Sequence, residues 1–136
     1  MTIFVLDSSA ILRYIDNEAG GDRVKEVFKT CVRNQAAMRI SALQWGEVAG
    51  YLRRRLGIAE GRRVLDSLLP LELEIVPATA ERAVRAAELR SGRSISYVDA
   101  FAVELAMDST EQVLVTADYD FKVVDDLAHI EFLPAK

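Results

Sequence analysis

Short apolar runs alternate with stretches of helical periodicity along this chain. The strongest run, Ile3–Leu6, is rich in β-formers and ends at Asp7, and 112–116 is a second strong run. Weaker strand patterns lie at 38–40, 73–76 and 130–133. Continuous apolar runs are typical of parallel strands that are covered on both faces. We therefore expect a mainly parallel sheet.

The segments between the strands carry apolar residues at helical spacing. They predict helices over roughly 10–15, 22–33, 42–56, 59–68, 80–91 and 97–108, and a short helix or turn over about 119–127. Ser8 or Ser9 would cap the first helix, and Ser41 with Gln44 has capping-box spacing before the third. Strands alternating with helices predict a three-layer α/β/α fold. A length of 136 residues fits one domain, 1–136.

Composition indicates a soluble protein. Hydrophobic residues make up 51% of the chain, which is enough for a real core, and no apolar run approaches the roughly 20 residues needed to cross a bilayer. Asp7 interrupts the N-terminal run too early for a signal peptide. Cys31 has no second cysteine to pair with and lies in a helical pattern, which predicts a buried thiol and a cytoplasmic location.

Charge is unevenly distributed along the chain. Residues 51–95 carry nine arginines against six acids, whereas 96–136 carry two lysines against nine acids. The net charge of −4 disfavours a general nucleic-acid coat, and solvated helix faces account for much of the pattern. A guanidinium also suits phosphate partners, so we predict an arginine track for phosphate binding on the third and fourth helices. Its members are Arg53, Arg54, Arg55, Arg62 and Arg63. Exposed apolar residues there, such as Tyr51 or Leu68, would instead serve a protein partner.

Acidic residues follow two of the predicted strands. Asp7 ends the first strand and Asp118 closely follows the 112–116 strand, so both would emerge at the carboxyl edge of a parallel sheet. Either residue alone also suits a turn or a helix cap. Asp99 stands three residues after Ser96, as in a capping box, but it shares a stripe with small apolar residues of its helix. Glu47 points away from the apolar stripe of its helix, which favours a surface position.

Converging carboxylates would repel one another unless a cation lies among them. All-oxygen ligation favours Mg²⁺ or Mn²⁺, because zinc would call for cysteine or histidine ligands. The chain offers only Cys31 and His129, in unrelated places, and His129 suits a structural or surface role.

Four motifs together resemble the PIN-domain ribonucleases, and the chain's size is similar to that of a stand-alone VapC-type toxin. They are Val-Leu-Asp7-Ser-Ser-Ala, Glu47 early in a helix after Ser41, Ser96-Tyr-Val-Asp99-Ala, and Val-Thr116-Ala-Asp118-Tyr-Asp120-Phe. The resemblance covers nearly the whole chain. It implies an acidic metal-binding and catalytic quartet formed by Asp7, Glu47, Asp99 and Asp118. Ser9 and Thr116 match supporting hydroxyl positions, and Asp120 matches a variable polar position nearby.

The function implied by this resemblance is that of an endoribonuclease dependent on Mg²⁺ or Mn²⁺. One or two ions would activate water and neutralise charge on the scissile phosphate. The resemblance also implies an antitoxin of the VapB type, whose C-terminal segment covers the site, and a homodimer. Two other classes stay open: a receiver-like phosphoacceptor module and a non-catalytic PIN scaffold. A haloacid-dehalogenase-like phosphatase would need an acid where Ser9 stands.

Overall fold

Five parallel strands form the centre of the fold. The computed structural model describes residues 1–136. The strands are β1 (Ile3–Leu6), β2 (Ala37–Ser41), β3 (Leu73–Val76), β4 (Gln112–Thr116) and β5 (Ile130–Phe132). They lie in the order β3-β2-β1-β4-β5, and each neighbouring pair is parallel. The predicted parallel sheet is confirmed.

Helices cover both faces of this sheet. The α-helices are α1 (Ser8–Ile15), α2 (Gly21–Val32), α3 (Ala42–Leu56), α4 (Ile58–Asp66), α5 (Ala80–Arg90) and α6 (Tyr97–Ala106). Two short 3₁₀ helices follow α4 and β4, at Leu69–Leu71 and Tyr119–Val124. The predicted three-layer α/β/α architecture is therefore confirmed. None of the helices combines the length and apolar character needed to cross a bilayer.

The apolar run of β1 supplies side chains to both layers. Phe4 and Leu6 pack into the larger core cluster, with residues of α1, α2 and α3, whereas Val5 packs into a second cluster with residues of α6. Alternate residues of a strand point to opposite faces, so a strand covered twice must be apolar throughout. The buried Cys31 lies in the larger cluster, as expected.

Three local predictions were wrong. Helix α1 is capped by Asp7 rather than by Ser8 or Ser9, because Asp7 is extended and its carboxylate accepts a hydrogen bond from the Ala10 N–H. Ser41 caps α3 as predicted, but the Gln44 side chain does not bond back to Ser41. It forms hydrogen bonds with Ser8 and Asp99 instead. Leu68 was predicted to be exposed; it is buried in the larger core cluster.

Candidate active site

The carboxyl ends of β1 and β4 meet at the point where the strand order reverses. From β1 the chain proceeds outward through β2 and β3, and it then returns to place β4 on the other side of β1. Leu6 is paired with Val115, so the residues that follow these strands emerge side by side. Such reversal points form crevices where open α/β sheets bind their ligands. Asp7 and Asp118 both lie here.

Asp7 is a buried carboxylate, with only 2% of its surface exposed. The Ala10 N–H donates to its Oδ1 at 3.0 Å, and the Thr116 hydroxyl donates to its Oδ2 at 2.6 Å. Ser9 Oγ lies 2.8 and 2.9 Å from the two carboxylate oxygens. Because these contacts come from α1 and β4, they fix the orientation of the Asp7 carboxylate.

The two hydroxyls are themselves oriented by the backbone after β4. The Ala117 N–H donates to Ser9 Oγ at 2.9 Å, and the Asp118 N–H donates to Thr116 Oγ1 at 2.9 Å. Each hydroxyl therefore accepts from the backbone and turns its own proton towards Asp7. The predicted supporting residues Ser9 and Thr116 thus link the end of β4 to the buried acid.

Asp99 is held at the same edge by a fully buried glutamine. Gln44 Nε2 donates to Asp99 Oδ1 at 2.9 Å, while its Oε1 accepts from the Ser8 N–H at 2.8 Å. Ser96 caps α6 by accepting from the Asp99 N–H, at 3.1 Å. The Ser96 backbone N–H does not donate to the Asp99 carboxylate in return, so the reciprocal half of the predicted capping box is absent. The Asp99 carboxylate is free to face the crevice.

Glu47 also reaches the crevice, although it is exposed as the sequence pattern predicts. Its carboxylate accepts from the Ser8 hydroxyl at 3.0 Å. Ser8 begins α1 directly after Asp7, so this bond ties α3 to the start of α1. Asp118 caps the second 3₁₀ helix by accepting from the Asp120 N–H at 2.9 Å. The Asp120 side chain is exposed beside it.

The electrostatics of these acids are unfavourable in the protein alone. Burial raises the pKa of Asp7 to about 7, against the opposing hydrogen bonds, and the charge of Asp99 adds to the rise. Burial also raises the pKa of Asp99, with smaller contributions from Asp118 and Asp120. Partial desolvation raises the pKa of Glu47, and the charges of Asp99 and Asp118 add to it. The acids therefore lie close enough to destabilise one another's charge.

No basic side chain neutralises this cluster. None of the ion pairs in the structure includes Asp7, Glu47, Asp99 or Asp118. Most other buried or half-buried acids have arginine partners; Glu104, for example, contacts two arginines. Uncompensated charge at a ligand-binding edge is typical of functional sites rather than of structural ion pairs.

The family was identified by comparison with known proteins. The family model described as "PIN domain" matches residues 4–127, which is most of the chain. The chain belongs to the PIN-domain family. No curated protein sequence matches it.

Solved structures support the same fold. A chain of the VapBC2 complex from Rickettsia felis, bound to a promoter DNA fragment, superposes with a TM-score of 0.76 at 19% identity, covering 98% of this chain and 100% of that one. The sarcin–ricin loop cleaving toxin VapC20 of Mycobacterium tuberculosis gives 0.72 at 22% identity, covering 98% and 100%. A chain of the DNA-bound VapBC complex from Salmonella typhimurium gives 0.72 at 18% identity, covering 97% and 98%.

Three of the five arginines in the predicted arginine track form ion pairs within this PIN domain. Arg55 contacts Asp16. Arg62 pairs with Asp66 at 3.0 Å, and Arg63 pairs with Glu60 on the same helix. The other two members of the track, Arg53 and Arg54, are exposed and have no acidic partner. The track therefore stays a prediction, and most of its charge is already compensated.

Two polar contacts of the PIN domain site were not foreseen. Gln44 was interpreted as a helix cap, and the Ser8 hydroxyl as an alternative cap for α1. The spacing between Ser41 and Gln44 is compatible with a capping box. The actual partner of the Gln44 amide is Asp99, which comes from a distant segment of the chain. One signal was available: Gln44 stands at the amino end of an apolar stripe, where a buried amide requires partners.

Proposed function

We propose that this PIN domain is a divalent-metal-dependent endoribonuclease. One observation carries the proposal: four carboxylates from distant parts of the chain share one sheet edge with no cationic partner. Asp7, Glu47, Asp99 and Asp118 would bind Mg²⁺ or Mn²⁺ and serve as the catalytic acids. Loss of the Asp7 or the Asp99 carboxylate would then remove both metal binding and cleavage.

The chemistry of the donors fits a hard divalent cation. All four are carboxylates, the preferred ligands of Mg²⁺ and Mn²⁺. Cys31 is buried within α2, and His129 precedes β5 at the other end of that strand, so neither contributes a soft ligand. No three acidic, histidine or cysteine side chains form a ready-made ligand set for one ion. An ion would therefore have to draw the carboxylates towards itself, and its charge would relieve their repulsion.

The chain's own residues hold and orient the acids. Ser9 and Thr116 direct their protons to Asp7, so its carboxylate keeps one orientation when ionised. Gln44 holds Asp99, and Ser8 holds Glu47. When bound, a divalent ion supplies Lewis-acid stabilisation of the phosphoryl group and a nucleophile at neutral pH. Because no histidine lies at this edge of the sheet, no histidine serves as general base in the proposed mechanism.

We also propose that the protein is the toxin of a toxin–antitoxin pair. Chains from VapBC complexes share its fold over nearly its full length. A VapB-type antitoxin would bind it, with an antitoxin segment covering the acidic edge, and the toxin would form a homodimer. The test is expression in a bacterium with and without the neighbouring reading frame. Growth arrest by the wild type, but not by Asp99→Asn, with rescue by the neighbour, is expected.

Cleavage of RNA tests the proposed chemistry. Purified protein would be incubated with RNA and Mg²⁺ or Mn²⁺, beside Asp7→Asn and Asp99→Asn variants and the exposed control Asp125→Asn. We expect cleavage by the wild type and by the control, loss of cleavage in both site variants, and no cleavage in EDTA. Equal cleavage by the site variants would contradict the proposal. Binding of RNA without metal-dependent cleavage would favour the non-catalytic scaffold instead.

The receiver-like alternative fits the structure less well. Receiver modules have the strand order 2-1-3-4-5, whereas this sheet has the order β3-β2-β1-β4-β5. Val76 at the end of β3 is followed by Pro77, so no acceptor acid stands there. A haloacid-dehalogenase-like phosphatase would need a second acid two residues after Asp7. Ser9 stands at that position, and its hydroxyl donates a hydrogen bond to Asp7.

A further inference from the structure

A pocket adjoins the acidic edge beside the start of α6. Its volume is about 360 Å³, and it is lined by Arg90, by residues 93–96, and by Asp99 and Asp120. We call this the Arg90 pocket. Since Asp99 lines both the pocket and the crevice, a ligand chain lying across the acids can continue into the pocket.

Arg90 is the distinctive residue of this pocket because its charge is uncompensated. Its Nε donates to the Ile95 carbonyl at 2.8 Å, and its Nη groups have no acceptor within the protein. Nearby Arg93 is different, since it forms two hydrogen bonds with Asp126 at 2.7 and 3.0 Å and a third with the Val123 carbonyl. The hydrogen bond to Ile95 fixes the Nε side of the guanidinium and leaves its Nη groups available to bind a ligand.

Few other arginines are available to hold an anion near the acids. Arg55, Arg62 and Arg63 have acidic partners. Arg53 and Arg54 have none, but they lie on α3 and do not line the Arg90 pocket. Arg33 also has none, but it follows α2 and lines a different pocket. Arg90 therefore combines two properties: it lacks a carboxylate partner, and it shares a pocket with acids of the proposed active site.

A polyanion needs such a cation at an acidic site. The carboxylates repel each phosphate of an RNA strand, and binding depends on basic residues that contact the backbone beside the reacting group. A guanidinium suits this task because its planar donors match phosphate oxygens. The Ser94 and Ser96 hydroxyls also line the pocket, and they offer further donors to a phosphodiester.

We propose that Arg90 binds a backbone phosphate of the RNA, next to the scissile phosphate, in the Arg90 pocket. This inference rests on the proposed function. It makes Arg90 a substrate-binding residue that acts on strand placement rather than on bond cleavage. A contact that is equally strong in the ground and transition states affects KM, not kcat.

The test compares Arg90→Gln, Arg90→Lys and the matched control Arg33→Gln. Binding of a fluorescent single-stranded oligoribonucleotide is measured by anisotropy in EDTA at several salt concentrations, and cleavage kinetics are measured in Mg²⁺. We expect Arg90→Gln to bind about tenfold more weakly, as for loss of one charged hydrogen-bonding group. The slope of log Kd against log salt should fall by about 0.7, the value for one phosphate contact on a single strand. KM should rise in Arg90→Gln with kcat nearly unchanged.

Arg90→Lys should keep most of the salt slope, and Arg33→Gln should match the wild type. If Arg90→Lys and Arg90→Gln lose activity alike while the salt slope is unchanged, Arg90 acts only through Ile95 and the inference is wrong. Wild-type affinity in Arg90→Gln, or no RNA binding by the wild type, also overturns it. Wild-type cleavage with an unaffected Arg90→Gln would leave the proposed nuclease function standing, whereas RNA binding that depends on Arg90, without cleavage, would refute the nuclease alone.

Discussion

Replacing Asp7 with asparagine should stabilise the metal-free protein at neutral and alkaline pH. Burial raises the pKa of Asp7 from its ordinary value of 3.8 to about 7. The folded state therefore binds more protons than the unfolded state between these values, so the free energy of unfolding falls as pH rises through this window. Asparagine has a similar shape and carries no charge, so it escapes this loss.

The size of the effect follows from the two pKa values. At about 1.4 kcal/mol for each pH unit, ionised Asp7 costs the folded state about 4 kcal/mol above pH 7. At pH 5 the folded carboxyl is neutral and the unfolded one is ionised, so the cost is about 2 kcal/mol. The stability advantage of Asp7→Asn should thus grow by about 2 kcal/mol between pH 5 and pH 8. Its absolute size will be smaller than the cost, because the amide matches the surrounding donors less well.

Urea denaturation in EDTA at both pH values measures this change. The matched control is Asp125→Asn, which makes the same chemical change at an exposed carboxylate that has no ionic partner. The unfolding free energy of each variant is subtracted from that of the wild type at the same pH. This difference cancels the titration of acids that all three proteins share. An advantage of Asp7→Asn that stays constant, or that shrinks with rising pH, would refute the assignment of a buried, uncompensated charge to this position.

Three further predictions concern the supports of the site. Thr116→Val should lower the unfolding free energy by roughly 1–3 kcal/mol, since it leaves the Asp118 N–H without its acceptor. Thr116→Ser, which keeps the hydroxyl, should lower the unfolding free energy less than Thr116→Val does. Urea denaturation measures both values. Gln44→Leu should reduce kcat more than it changes KM, because it releases Asp99; steady-state cleavage measures this, and an unchanged kcat would assign Gln44 a structural role alone. Mg²⁺ should raise the melting temperature of the wild type more than that of Asp99→Asn, and equal shifts would argue against binding at the acids.

The fold could be predicted from the sequence because apolar runs and helical stripes are local patterns that alternate along the chain. The 73–76 and 112–116 strands were predicted at the residues where they occur, and helix ends marked by Gly57 and Thr79 also agree. The first 3₁₀ helix and the burial of Leu68 were missed. Both depend on how the segment after α4 packs against the larger core cluster, and local periodicity does not contain that information.

The site was less predictable because its bonds join distant segments. Asp7 and Asp118 were expected together on the logic of strand ends alone. The local pattern left Asp99 open between a helix cap and a site, and it favoured a surface position for Glu47. The family resemblance placed both residues with the other two acids. Gln44 shows the limit most clearly: its local spacing matched a capping box, but its amide bonds to Ser8 and Asp99, which are 36 and 55 residues away in sequence.

Locating a bound metal ion is the decisive experiment for the proposed active site. A crystal of the wild-type protein grown or soaked with Mn²⁺ would locate the ion by its anomalous scattering. We predict an ion at the carboxyl ends of β1 and β4, within coordination distance of oxygens of Asp7 and of at least one of Asp99 and Asp118. An ion bound elsewhere, or an empty edge in a crystal of protein that cleaves RNA with Mn²⁺, would contradict this prediction.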